Sequence, residues 1–298
     1  MSVQKTSPSR GPRSPEVTGF YEPDTGSIQY VLSDPATRRA AIIDAVWNFD
    51  PRNASTDEKS AGEILRHVEK HGLTVDLILD THPHADHFIA AAWLKDKLGA
   101  PQAIGEKVRD VAALWRALYN LPEAFDPATA FDRLFADGET FEIGSLPVRV
   151  MLSPGHTLAS ITFVVGDDAA FVHDTLMVPD SGTSRADFPG GDAAVLYRSI
   201  KSILALPLAT RLFVGHDYCK DGREAKWEAT VAEQRASNIH VRDGVSESEF
   251  VRIRTERDRA LPLPDRILHA LQVNLRGGRL PEPESDGHRY LRIPVNRF

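Results

Sequence analysis

The sequence predicts an α/β layered fold, and three observations carry that expectation. Apolar runs of strand length recur along the chain, helical stretches fall between them, and several runs end directly in residues that bind metals. Taken in order, residues 1–15 (MSVQKTSPSRGPRSP) are Ser, Pro, Arg and Lys with no carboxylate and no large aliphatic cluster, so they read as a disordered leader. Residues 27–32 (SIQYVL) and 39–44 (RAAIID) read as neighbouring strands joined at an Asp-Pro turn. A helix is expected over 56–71, opened by Thr56 or Asp57 and closed by Gly72. Residues 75–80 (VDLILD) form a continuous apolar run, the pattern of a strand covered on both faces. Further strands are expected at 148–152, 161–165, 169–172 and 211–214, with helices at 88–98, about 106–119 and 192–205. Helical stretches at 222–238 and 246–258 precede the Pro-rich PLPD and PEPES. The organisation expected is a main unit over 16–240 and a C-terminal extension, 241–298, packed on the same unit.

Composition bounds the function. The chain has 298 residues, 42% of them hydrophobic, enough to bury a core without covalent staples. A net charge of −7 argues against nucleic acid, which needs clustered Lys and Arg. A lone cysteine, Cys219, excludes internal disulfides and Cys-based zinc sites and suggests a reducing, cytoplasmic setting. No apolar run approaches the roughly 18 residues of a membrane span, so no membrane partner is expected.

The densest chemistry lies at 81–87, THPHADH, which sets His82, His84, Asp86 and His87 within six residues. In extended backbone, positions two apart point the same way, so His82 and His84 can share a target. Pro83 holds His82 out of the helical region. His156 in SPGHT, Asp174 in HDT and His216 in GHD each follow a strand run. Imidazole and carboxylate without thiolate suit zinc, iron or manganese. Ligand-type residues at the ends of several strands of one sheet can converge on one point.

THPHADH, SPGHT, HDT and GHD in this order resemble the motif set of the metallo-β-lactamase superfamily. The resemblance implies an αββα four-layer sandwich with one or two metals at the edge of its sheets. It implies His82, His84 and His156 for a first metal, Asp86, His87 and His216 for a second, and Asp174 between them. Net charge argues against the nuclease branches, and a β-lactamase would be expected to open on a signal-type apolar run, which this sequence lacks.

Residues 184–192 (SRADFPGGD), GHDY at 215–218 and the tail at 248–278 are similar to the persulfide dioxygenase branch. That resemblance implies oxidation of glutathione persulfide by O2 at one Fe(II) per chain, held by His82, His156 and Asp174. Three ligands leave positions for sulfur and O2, and iron can pass electrons where zinc cannot. His84, Asp86, His87 and His216 would then orient those ligands, with Asp86 and His87 closest to the chemistry. Arg185 and Tyr218 match positions that grip glutathione, although Arg185 could equally pair with Asp187, and Tyr218 could cap its loop. The alternative is a glutathione thioester hydrolase of the glyoxalase II type with one or two Zn2+ per chain.

Several further residues are ambiguous by type. His173 stands where that branch usually has glycine, and in extended backbone it should point away from Asp174 as a core histidine. His67 and His71, four apart on a helix, read as a solvated face. Cys219 reads as a small hydrophobe. Asn274 and Arg276 read as packing the C-terminus. Residues 111–135 could wall the pocket or form the contact of a homodimer.

Overall fold

The computed structural model describes residues 3–297. The apolar run at 75–80 becomes strand Thr74–Leu79, which lies parallel to Arg39–Ile43 on one side and Gln102–Gly105 on the other. These belong to a seven-stranded sheet ordered Gln4–Ser7, Glu16–Glu22, Ser27–Ser33, Arg39–Ile43, Thr74–Leu79, Gln102–Gly105, Arg133–Phe135. A second sheet places Thr140–Ile143, Leu146–Leu152, Ile161–Val165, Ala169–His173, Arg211–Val214 and Glu228–Thr230 side by side in chain order. A small ribbon sets Val46–Asp50 between Ser55–Asp57 and Phe88–Ile89.

The two sheets face each other across one core. Tyr30, Leu32, Ile43 and Leu79 from the first meet Val148, Val150, Phe163, Phe171 and Phe213 from the second. Tyr30 meets Phe171 edge-on at 5.3 Å and Phe213 at 5.7 Å, and its hydroxyl donates to the Val214 carbonyl. Burying such a ring contributes roughly 1.5–3 kcal/mol. Alternate residues of the first sheet, Val31, Ile42 and Ile78, meet helices Lys59–His71, Ala91–Leu98 and Val108–Tyr119. Helix Ala193–Ile203 covers the second sheet through Leu196, Ile200 and Ile203. The result is the αββα sandwich. Among the described residues no helix is long and apolar enough to cross a membrane.

The remaining elements brace this frame. Helix Glu247–Asp258 rests on Ala193–Ile203, with Phe250 against the Tyr197 ring at 5.5 Å. Helix Ile267–Asn274 adds Ile267 and Leu271 to the core that holds Val111, Trp115 and Tyr119 of the 111–135 segment. That segment is therefore core along one face.

Three expectations are corrected. The leader is not disordered over its described part, since Gln4–Ser7 pairs antiparallel with Glu16–Glu22. The physical reason is Arg211, fully buried, whose guanidinium donates to Ser7 Oγ, the Pro8 carbonyl, Ser14 Oγ and the Pro15 carbonyl as well as to Asp168. Met1 and Ser2 lie outside the described residues. The helix expected over 222–238 is only Val231–Ser237, because 228–230 pairs with Arg211–Val214 first and Thr230 then closes a capping box with Glu233. The helix expected at 88–98 begins at Ala91, because Phe88 and Ile89 pair with Trp47 and Val46.

Candidate metal centre

Four loops leave the C-terminal ends of strands at one edge of the sandwich. They follow Thr74–Leu79, Leu146–Leu152, Ala169–His173 and Arg211–Val214. They carry, respectively, His82 to His87, His156, Asp174 and His216. The structure brings all seven residues of the motif set together. His82, His156 and Asp174 form one group of donor atoms within 4.8 Å of one another, and His84, Asp86 and His87 form another. His82 Nε2 lies 3.8 Å and His156 Nε2 3.6 Å from Asp174 Oδ2.

Each of these histidines is fixed through the ring nitrogen that faces away. Thr81 donates its hydroxyl to Asp44 Oδ2 at 2.9 Å, so its oxygen accepts from His82 Nδ1 at 3.0 Å. His156 Nδ1 donates to the Arg185 carbonyl at 2.8 Å. His84 Nε2 donates to Asp44 Oδ1 at 3.0 Å. The opposite nitrogens then carry lone pairs. His82 Nε2, His84 Nδ1 and His87 Nε2 are buried and have no hydrogen-bond partner. Buried nitrogens left without a partner are costly unless a ligand satisfies them. Nitrogen and carboxylate donors without sulfur fit a divalent zinc, iron or manganese ion.

The electrostatics agree with that fit. Burial pushes His82, His84 and His156 below the ordinary imidazole range, which keeps them neutral and able to ligate. Burial alone would raise Asp174, but His216 and His173 hold it well below the usual carboxylate range. Asp86 behaves alike under His87 and His216. His216 lies between carboxylates, Nδ1 2.6 Å from Asp174 Oδ1 and Nε2 2.9 Å from Asp86 Oδ2. Asp86 Oδ2 also accepts from Ser27 Oγ at 3.0 Å and His87 Nδ1 at 2.9 Å.

Other residues fall partly as the sequence reading allowed, as Arg185 does, and partly against it, as His173 and His67 do. Arg185 turns its guanidinium to Asp187, Nε to Oδ1 at 2.6 Å and Nη2 to Oδ2 at 2.8 Å, while Nη1 donates to the Pro262 carbonyl at 2.6 Å. Tyr218 is exposed, its ring stacked over His216 at 5.8 Å. His173 does not point away from Asp174. Its φ of +40° swings the ring into the cluster, with Nδ1 3.3 Å from Asp174 Oδ1. His67 is buried, not solvated. Its ring meets Phe20 at 5.3 Å and its Nδ1 accepts from Gln4 Nε2 at 3.2 Å. Cys219 is half-buried and donates to the Tyr21 hydroxyl at 3.4 Å.

Sequence reasoning missed Asp44, Thr81 and Ser27, which hold the donors, and undervalued Asn274. That residue accepts from the Ile89 amide at 2.9 Å and donates to the His84 and His87 carbonyls at 2.8 Å each. Asp44 ends a strand beside the one that leads into THPHADH, the one signal that could have found it.

The sequence profile of the metallo-beta-lactamase superfamily matches residues 29–216. A beta-lactamase hydrolase-like protein of Xylella fastidiosa is 57% identical over 95% of this chain. The chain spans 65% of that relative's length. Glyoxylase B2 of Dictyostelium discoideum is 41% identical over 93% of this chain and 96% of its own. The mitochondrial persulfide dioxygenase ETHE1 of Homo sapiens is 29% identical over 87% of each. Among solved structures, ETHE1 from Myxococcus xanthus superposes with a TM-score of 0.70 at 27% identity, covering 88% of this chain and 98% of that one.

Proposed function

The chain belongs to the metallo-beta-lactamase superfamily, and within that family we propose that it is a persulfide dioxygenase. The reaction takes glutathione persulfide, O2 and water to glutathione, sulfite and two protons. The observation that carries this reading is the way the donor cluster divides. His82, His156 and Asp174 converge, with His82 Nε2 unpartnered. His216, by contrast, is engaged on both nitrogens by Asp174 and Asp86. Two histidines and one carboxylate with positions to spare are the donor pattern of non-haem iron oxygenases. The similarity to the human persulfide dioxygenase supports the same reading.

One Fe(II) at these residues would supply redox capacity and open coordination for sulfur and O2. The chain's own groups supply the rest. Thr81 and the Arg185 carbonyl keep His82 and His156 in the tautomers that ligate, and Asp44 fixes Thr81 and the neighbouring His84. Asp86, whose side chain keeps 23% of its surface open, marks the solvent side and accepts at Oδ2 from His87 Nδ1 beside it. Tyr218, exposed over His216, would donate its hydroxyl to the tripeptide. Arg185 acts through its loop, since its guanidinium is engaged by Asp187 and Pro262.

One observation favours a second reading, glutathione thioester hydrolysis with two Zn2+. His84, Asp86 and His87 form their own donor group, with His84 Nδ1 and His87 Nε2 unpartnered. The identity to glyoxylase B2 accords with it. Oxygen uptake with glutathione persulfide, run beside hydrolysis of S-lactoylglutathione, tests both. Fe(II)-dependent uptake with sulfite formed is the expected result. Thioester cleavage without uptake would replace the first reading by the second.

A further inference from the structure

His173 differs from the other histidines of the cluster in how its backbone presents it. It closes strand Ala169–His173, where the register against Arg211–Val214 shifts between Phe171 and His173. Such an irregularity re-aims a side chain. Its φ of +40° lies in the left-handed region, which a residue with a Cβ adopts only when its surroundings enforce it. The outcome is a ring 2% exposed, with centroids 4.8 Å from His84 and 5.2 Å from His82.

A core histidine is ordinarily held by well-aligned hydrogen bonds, and His173 makes none of that kind through its ring. Nε2 lies 3.1 Å from Asp44 Oδ2 and Nδ1 3.3 Å from Asp174 Oδ1, but neither contact has hydrogen-bond alignment, so both buried nitrogens are unpartnered. A nitrogen of this ring also lies within 4.8 Å of donor atoms of His82 and His84, and likewise of Asp174 and His216. The opposite wall keeps room for it. A Cβ at Gly215 would come within 2.2 Å of His173 Nδ1. Gly215 therefore serves the ring.

We propose that His173 is itself a metal ligand, lending a nitrogen to the ion held at His82, so that this centre has one more imidazole than its motif set provides. The inference rests on the metal-centre reading above. It extends that reading to a residue outside the motif pattern.

The test is Co(II) loading of the full chain and of His173→Gly. Glycine adopts the local φ without strain, so the variant is expected to fold. His173→Asn, which also tolerates positive φ and fills part of the space, is the second variant. Proton NMR of Co(II) protein shows hyperfine-shifted exchangeable imidazole N–H signals from ligating histidines. One fewer is expected in each variant, together with Co(II) affinity weakened roughly 10- to 100-fold. An unchanged set of shifted signals overturns the proposal, whether or not affinity falls, because a fall alone would mark a positioning residue. Failure of the unaltered protein to take up Co(II) would overturn the metal-centre reading and this proposal with it. Uptake that His173→Gly leaves untouched overturns this proposal alone.

Discussion

At Asp44 a single buried carboxylate accepts from the Thr81 amide at 2.7 Å, the Thr81 hydroxyl at 2.9 Å and His84 Nε2 at 3.0 Å. The rings of His82 and His84 are thus steered, one through Thr81 and one directly, by one buried side chain. Groups of this kind typically govern metal affinity by 10- to 100-fold. Asp44→Ala is accordingly expected to weaken Zn(II) or Fe(II) binding by about that factor, measured by competition with a chelating dye. Arg185 illustrates the converse, a residue whose type allowed either a substrate contact or a pair with Asp187 and whose geometry takes the second. Its carbonyl fixes His156, and its guanidinium ties the loop to Asp187 and Pro262. Arg185→Ala is expected to lower stability by about 1–2 kcal/mol in urea unfolding and to loosen metal retention. A rise in KM alone, with metal content intact, would return Arg185 to substrate binding.

Among the elements, the loop that carries His82 to His87 depends on helix Ile267–Asn274. Replacing Asn274 by Ala leaves the Ile89 amide and the His84 and His87 carbonyls without partners in a buried site. At about 1 kcal/mol or more for each, Asn274→Ala should cost roughly 3 kcal/mol, read as a lower urea midpoint. Two histidines outside the centre tie elements together and give acid sensitivity. Burial, aided by Arg254 and Arg257, lowers His240 to about 4, and its Nδ1 accepts from the Thr183 amide at 3.1 Å. Burial also lowers His67 to about 4, with His71 and Lys70 adding to it. Both are held neutral in the folded chain, so between about pH 6.5 and 4 the unfolded state binds more protons. Stability is then fully present above about pH 6.5 and falls as pH drops toward 4, by on the order of 2–3 kcal/mol for each. His240→Gln, which keeps an acceptor for Thr183, should flatten its share of that slope in unfolding curves taken across this range.

For the whole molecule, Arg211 joins the N-terminal segment to the second sheet. Its partners come from residues nearly 200 positions earlier. Arg211→Met should cost about 3 kcal/mol, because Asp168 and several buried acceptors lose their donor. A lowered thermal midpoint, with protease cutting now admitted between residues 7 and 15, is the expected outcome. A variant as stable and as resistant as the parent would show that the segment is held by its strand pairing alone.

The layered α/β frame, the strands at 27–32, 39–44 and 75–80, and the His and Asp residues of the centre were all legible in residue order. Each is a local event: a run of apolar residues, then ligand-type side chains directly at its end. Edge strands such as Gln4–Ser7 and Glu228–Thr230 were not, because short, polar segments become strands only when a neighbour pairs with them. Folding in three dimensions was needed to bring Asp44 to His84 across 40 residues and to clamp with Asn274 a loop 185 to 190 residues earlier. It also set which way His173 faces. Strand alternation assigns a side by counting, but a register shift and a left-handed φ break the count, and both arise where this strand pairs with one about 40 residues away.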